Sequence, residues 1–448
     1  MNYNREYRKK LLEPEEAVKI IKSGDHVSYG AFACTPMYLD RYLAKRAGEL
    51  ENVTVTGVTF PGIAAVATAD PERKSFIYRS THFSKGDRML HDRGLCDMIP
   101  NLFHEGPSFS IKEYVDSGVC IVRAAPMDNW GFFNIGIGNS VIGAGIAKAD
   151  KIIIEVNDNI PYCYGGYGEG IHISKVDHIV ESDGEPLISL PPAKPTKTDE
   201  IIARYIIDEI TDGACMQLGI GSLPNAIGEL IAESDLKHLG VHTEMFVDAY
   251  IKIFERGLIT GRRKIVAPGK MTYTFALGST ELYEFLDKNP YCASYPVDYL
   301  NDPKIIAQNP NVISINNALE IDLYGQVSSE SSGTRNISGT GGQFDFAYGA
   351  YHSRDGKSFI CLPSTRKDSK GTVHSTIVPY FKPGTIVTCH RAIVHYIVTE
   401  YGMTMLKGKS TWERAEALIN ISHPDFREQL IKDAEEMNIW TRTNKQDG

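Results

Sequence analysis

The sequence predicts two α/β domains built on mostly parallel sheets, and three observations point there. Its 448 residues exceed the roughly 250–300 at which a single core stops growing, so two domains is the expected count. Short β-branched runs alternate with longer stretches patterned at helical spacing. The short runs are continuously apolar rather than alternating, as strands are when helices cover both faces of a sheet.

Taken in order, the candidate strands are 53–58, 119–124, 151–156, 215–218, 312–315, 359–362 and 386–389. The candidate helices are 14–21, 199–210, 225–233, 281–287 and 411–419. Pro191, Pro192 and Pro195 fall within seven residues and bias themselves and their predecessors away from helix, which marks a linker or domain edge. The expected domains are therefore 1–193 and 194–448. An internal echo accompanies the split. A helical stretch ends at Gly24 before a strand running to Gly30, and another ends near Gly213 before a strand running to Gly219. Duplicated halves and a recurring α/β cap both account for it.

Composition removes several function classes. The hydrophobic fraction of 42% and charged fraction of 23% are those of an ordinary globular protein. The net charge of −9 comes with no basic block, so no nucleic-acid partner is expected. Eight cysteines are scattered without a CxxC pair, which argues against a disulfide scaffold and a zinc site; most read as buried free thiols. The first residues are polar and charged, and no apolar run reaches the ~20 residues that span a bilayer, so a cytoplasmic location without membrane attachment is expected.

Three segments could carry chemistry. In Gln217-Leu218-Gly219-Ile220-Gly221-Ser222-Leu223-Pro224, a strand enters a glycine turn that opens a helix. Free N–H groups there favour negative charge. A dinucleotide fingerprint would need a small residue where Pro224 stands, which demotes a nicotinamide oxidoreductase; a plain βα turn stays open. In Gly240-Val241-His242-Thr243-Glu244-Met245-Phe246, a carboxylate is expected at a strand end facing a helix start, where it stays ionised and can act as a nucleophile. Read alone, such a glutamate is a helix cap before it is a catalyst, and His242 is a packed loop histidine. In Gly339-Thr340-Gly341-Gly342, three glycines in four positions press the backbone against a ligand or another strand. Two decoys fall away. Gly408-Lys409-Ser410 lacks the first glycine of a P-loop, which Met403 replaces, and His104-Glu105 lacks the second histidine of a zinc helix. No metal is expected.

Together these segments resemble the acetyl-CoA hydrolase/transferase family, also called the 4-hydroxybutyrate CoA-transferase family. The resemblance runs through residues 20–29 (IIKSGDHVSY), 125–133 (APMDNWGFF), 154–161 (IEVNDNIP), 315–327 (INNALEIDLYGQV), 398–402 (VTEYG) and 414–427 (RAEALINISHPDFR). Within the family, segments 232–250 and 315–327 are most similar to the butyryl-CoA:acetate CoA-transferases.

The resemblance implies two open α/β domains with the site between them and the nucleophile in the C-terminal one. It implies Glu244 as the catalytic carboxylate, with Ile220 and its neighbours Gly219, Gly221, Ser222 and Leu223 as a turn whose N–H binds the thioester oxygen and CoA. Asn301 would help hold the oxyanion, Gly341 and Gly342 would close over CoA, and Leu319 and Lys367 would touch it. Ser222 departs from the small Gly or Ala of many relatives. No cofactor beyond CoA itself is implied; the partners are an acyl-CoA and a carboxylate, and the assembly a homo-oligomer. The expected reaction moves CoA from a short-chain acyl-CoA to acetate through a glutamyl-CoA thioester. A 4-hydroxybutyrate CoA-transferase, an acyl-CoA hydrolase and a non-catalytic CoA-binding protein are the alternatives.

Overall fold

The continuous apolar runs become the inner strands of two sheets, one in each of the two units into which the chain divides. The computed structural model describes residues 3–108 and 118–440. The first unit comprises Met1–Pro191, Thr243–Val247 and Lys270–Asp302, and the second the remainder. The chain is thus cut within the proline-rich segment, between Pro191 and Pro192. Two later segments, with Glu244 in one and Asn301 in the other, pack with the first unit.

In the first unit, seven parallel strands stand in the order Asp97–Met98, Phe76–Ser80, Val53–Gly57, His26–Tyr29, Val119–Ala124, Lys151–Val156, His178–Glu181. All six residues of Val119–Ala124 are buried, which is why that run lacks alternation. The chain starts in the middle, works outward to Asp97–Met98, then returns beside His26–Tyr29 and works outward the other way. The order therefore reverses between His26–Tyr29 and Val119–Ala124. At such a reversal the connections leave the carboxyl ends of adjacent strands in opposite directions and open a crevice.

In the second unit, the sheet order is Gly240–Val241, Cys215–Leu218, Val312–Asn317, Lys357–Cys361, Tyr396–Thr399, Gly402–Met405, parallel except for the last pair. Its reversal falls between Cys215–Leu218 and Val312–Asn317. The helix Lys197–Ile207 leads in, started by a capping box in which Thr196 and Asp199 each accept the other's backbone N–H. Helix Ser222–Glu233 holds Pro224 at its third position, where an N–H has no intrahelical partner to lose.

The glycine echo has a topological counterpart. Gly24 and Gly213 both take positive φ, at 85° and 79°, and each introduces a strand at the reversal point of its sheet. One expected strand is absent. Residues 386–389 form a loop anchored by the Ile386 N–H to Ser331 Oγ (2.7 Å), with Ile386 and Val387 partly exposed; the sheet strand is Tyr396–Thr399. All eight cysteines are buried free thiols. Among the described residues, no helix is long and apolar enough to cross a membrane.

Candidate active site

Glu244 is placed by backbone bonds to the segment 272–275 of the first unit. The Thr243 N–H donates to Thr272 O (3.0 Å), while Glu244 O accepts from the Thr274 and Phe275 N–H groups (3.0 and 3.3 Å). Met245–Phe246 then pairs in parallel with Phe275–Ala276. Glu244 thus lies between two two-residue strands, Gly240–Val241 and Met245–Phe246, and the next helix begins only at Ala249. Glu244 is thus five residues ahead of that helix rather than at its start.

What holds the carboxylate is an amide. Asn301 Nδ2 donates to Glu244 Oε2 at 2.6 Å, from 57 residues away in sequence. Asn301 ends the helix Val297–Leu300, is wholly buried, and its Oδ1 has no hydrogen-bond partner among the described residues. This bond orients one oxygen of the Glu244 carboxyl group. His242 is buried in the second unit with Asn309 Nδ2 at 3.3 Å from its Nδ1, a packed histidine.

The remaining expected residues gather at the carboxyl edge of the second sheet. Gly219, Ile220, Gly221, Ser222 and Leu223 follow strand Cys215–Leu218 directly, with Ile220 42% exposed. Gly221 takes φ 129° and ψ −177°, a conformation in which a side chain is strained, and it starts the helix without a side-chain cap. Leu319 follows the neighbouring strand Val312–Asn317 and is 36% exposed. Gly341 (φ 56°) and Gly342 lead into helix Gln343–His352, whose first residue donates from Nε2 to Asn317 O at 3.1 Å. That bond ties the glycine loop to the strand end beside Leu319. Behind them, Ser314 and Asn316 both donate to Gln217 Oε1 (2.8 and 3.1 Å), bracing the two strands at the reversal. Lys367 is exposed on a hairpin, Thr365–Lys367 with Val373–Ser375, one strand further along.

Sequence reading did not find the cavity of the first unit. About 480 Å³ in volume, it opens at the reversal point of the seven-stranded sheet, with Phe32, Met37, Phe60, Ile63, Met89 and Leu277 among its apolar lining and Arg123 and Lys85 among its polar groups. Phe32 and Thr59 take φ of 52° and 50° there, unusual for bulky and β-branched residues. Backbone strain of this kind leaves no trace in residue type; the Pro61-Gly62 turn after an apolar strand was the available signal. The Phe32 ring stacks on Phe275 at 3.5 Å, and the Phe275 N–H is bonded to Glu244 O, so Phe275 links a residue of the cavity lining to the segment that carries the carboxylate.

Comparison with known proteins bears on what this arrangement serves. The acetyl-CoA hydrolase/transferase N-terminal domain model matches residues 1–191, and the C-terminal domain model matches residues 278–434. The chain is 50% identical over 447 residues to the butyryl-CoA:acetate CoA-transferase of Anaerostipes caccae, covering 99% of this chain and 100% of that one. It is 48% identical over 441 residues to a probable butyrate:acetyl-CoA coenzyme A-transferase of Syntrophomonas wolfei, covering 98% of each. Among solved structures, RipA from Yersinia pestis superposes with a TM-score of 0.89 at 38% identity, covering 98% of this chain and all of RipA. With both domain models matched in order along the chain and near-complete relatives at half identity, the chain belongs to the acetyl-CoA hydrolase/transferase family of enzymes.

Proposed function

We propose that this enzyme moves CoA from a short-chain acyl-CoA, butyryl-CoA foremost, to acetate by a ping-pong route through Glu244. The observation that carries the reading is the 2.6 Å bond from Asn301 to the Glu244 carboxylate, in a unit whose cavity is mainly apolar. The names of the two close relatives support the choice of acids.

Direct exchange would need one free acid to attack a thioester held by nothing. An enzyme carboxylate divides it into two steps that each begin from a bound reactant. Glu244 attacks the acyl carbonyl, the C–S bond breaks, and CoA leaves as a thiolate from a mixed anhydride. The thiolate then attacks the glutamyl carbonyl, the first acid leaves as its carboxylate, and a glutamyl-CoA thioester remains. Acetate reverses both steps and departs as acetyl-CoA. No proton or electron is consumed. Each tetrahedral intermediate carries an oxyanion, and a donor aimed at it is worth about 3–4 kcal/mol. The Asn301 amide and the Ile220 N–H are assigned that role, Gly341-Gly342 the closing of the loop over CoA, and Leu319 and Lys367 contact with CoA. The cavity beside Phe32 and Phe60 takes the alkyl chain.

The test is incubation with butyryl-CoA, with and without acetate, followed by analysis of the Glu244 peptide. Acetyl-CoA formed only with acetate, and CoA bound to Glu244 without it, is the expected outcome. Free CoA and butyrate released equally in both would make the enzyme a hydrolase.

A further inference from the structure

The cavity of the first unit owes one wall to a loop that two buried carboxylates hold from behind. Between strand Val53–Gly57 and helix Ala65–Ala69, residues Thr59, Phe60, Pro61, Gly62 and Ile63 all line the cavity. Asp87 takes the near end: its Oδ2 accepts the Phe60 N–H (3.2 Å) and the Ser84 N–H (2.9 Å), and its Oδ1 accepts the Tyr78 hydroxyl (2.9 Å). Asp40 takes the far end, accepting the Ala65 N–H (2.6 Å), the Val66 N–H (3.4 Å) and the Tyr29 hydroxyl (3.1 Å). The two carboxyl-bearing residues are 0% and 1% exposed, and neither lines the cavity.

These bonds are not ordinary local caps. Helix Ala65–Ala69 receives no cap from its own Ala64, so Asp40 supplies one across space from helix Met37–Ala44, whose first residue lines the same cavity. Asp87 does cap its own helix, but its bond to Phe60 reaches outside that helix to the loop. A third contact fixes the middle: a Cβ on Gly86 would stand 1.7 Å from Gly62 O, so only glycine lets the helix start press against the loop. Thr59 at φ 50° persists only where its surroundings over-determine the backbone. Burial pushes Asp40 up to about 6 and raises Asp87 as well. Keeping two charges out of water at such a cost is a poor way merely to end a helix, since serine or asparagine would serve.

We propose that Asp40 and Asp87 are positioning residues that fix loop 59–66 and so decide which acyl chains the cavity accepts. The proposal rests on the cavity taking the acyl chain. Firmly clamped, the wall cannot retreat for a longer chain or collapse onto a shorter one. With a clamp loosened, discrimination among chain lengths is lost before catalysis is.

The test compares acetyl-CoA, butyryl-CoA and hexanoyl-CoA as donors, with propionate as the common acceptor, in the full-length protein and in Asp40→Asn, Asp87→Asn and Ala65→Pro. The last variant replaces the N–H that Asp40 accepts at 2.6 Å with a ring carbon that pushes the carboxylate away, at a first helical position and after a residue already extended. Each variant is expected to lower the preference for butyryl-CoA over hexanoyl-CoA about tenfold, as loss of one charge-assisted bond implies, with kcat on acetyl-CoA held within about threefold. Should the aspartate variants fail to fold, Ala65→Pro decides alone. Folded variants that keep the parent's chain-length ratios, or lose all three substrates equally, overturn the proposal. A parent that turns over none of them sinks the transferase reading, and the acyl role of the clamps with it.

Discussion

Asn301 and Glu244 form a contact that neither residue announces by itself. The bond between them spans 57 positions, and Asn301, wholly buried, ends a one-turn helix. In the proposed mechanism a fully buried donor aimed at this carboxylate has two uses: it orients the nucleophile at rest and stabilises charge in the transition state. Asn301→Ala is therefore expected to reduce kcat about 10²–10³-fold while KM for the acyl-CoA changes little, as for other lost oxyanion donors. An equal loss in KM instead would assign Asn301 to substrate binding. At this scale the sequence singled out Glu244 only through the resemblance of its surroundings. Its partner became evident as a partner only in three dimensions.

At the scale of elements, periodicity did most of its work where packing is two-sided. The runs 119–124, 151–156 and 215–218 are strands with those bounds, and all their residues but Lys151 are buried. Residues 386–389 looked the same and are a loop, the Ile386 N–H bonded to Ser331 Oγ and the Thr388 and Cys389 N–H groups to Val327 O, with only an isolated bridge from Cys389 to Val327. Helix Met37–Ala44 went unrecognised because it buries Asp40, a residue that pattern reading assigns to solvent. The glycine turn was legible, and its conformation makes a prediction. A Cβ on Gly221 would meet only Pro224 Cδ, at 3.9 Å, so no clash bars Gly221→Ala, but φ 129° strains any side chain and relieving that strain shifts the turn. With strain of about 1–3 kcal/mol to relieve, KM for acyl-CoA is expected to rise at least tenfold in steady-state assays. An unchanged KM would remove the turn from the CoA site.

For the whole molecule, buried ionisable groups make stability depend on pH, and Glu155 of the first unit is one of them. Glu155 lies wholly buried in strand Lys151–Val156, and burial pushes its carboxyl up to about 7 against the opposing Leu39 N–H and Arg123 guanidinium. A folded-state pKa above the unfolded one means the folded protein takes up the proton first. The stabilisation is present below the ordinary glutamate value and is lost as pH rises through about 7. Glu155→Gln carries no such proton. Measured by thermal melting between pH 5 and 8, the variant is expected to gain on the parent as pH rises; a constant gap between the two would refute the shift.

The sequence by itself determined the α/β class and the glycine turn, and through family resemblance it pointed to Glu244. These are local facts, set by propensity, period and a few neighbours. Only the tertiary structure decided that segments 243–247 and 270–302 join the first unit, that Asn301 meets Glu244, and that a cavity opens where the first sheet reverses. Those depend on contacts between residues far apart in the chain, whose geometry follows from which surfaces can be buried together, and no local pattern records that.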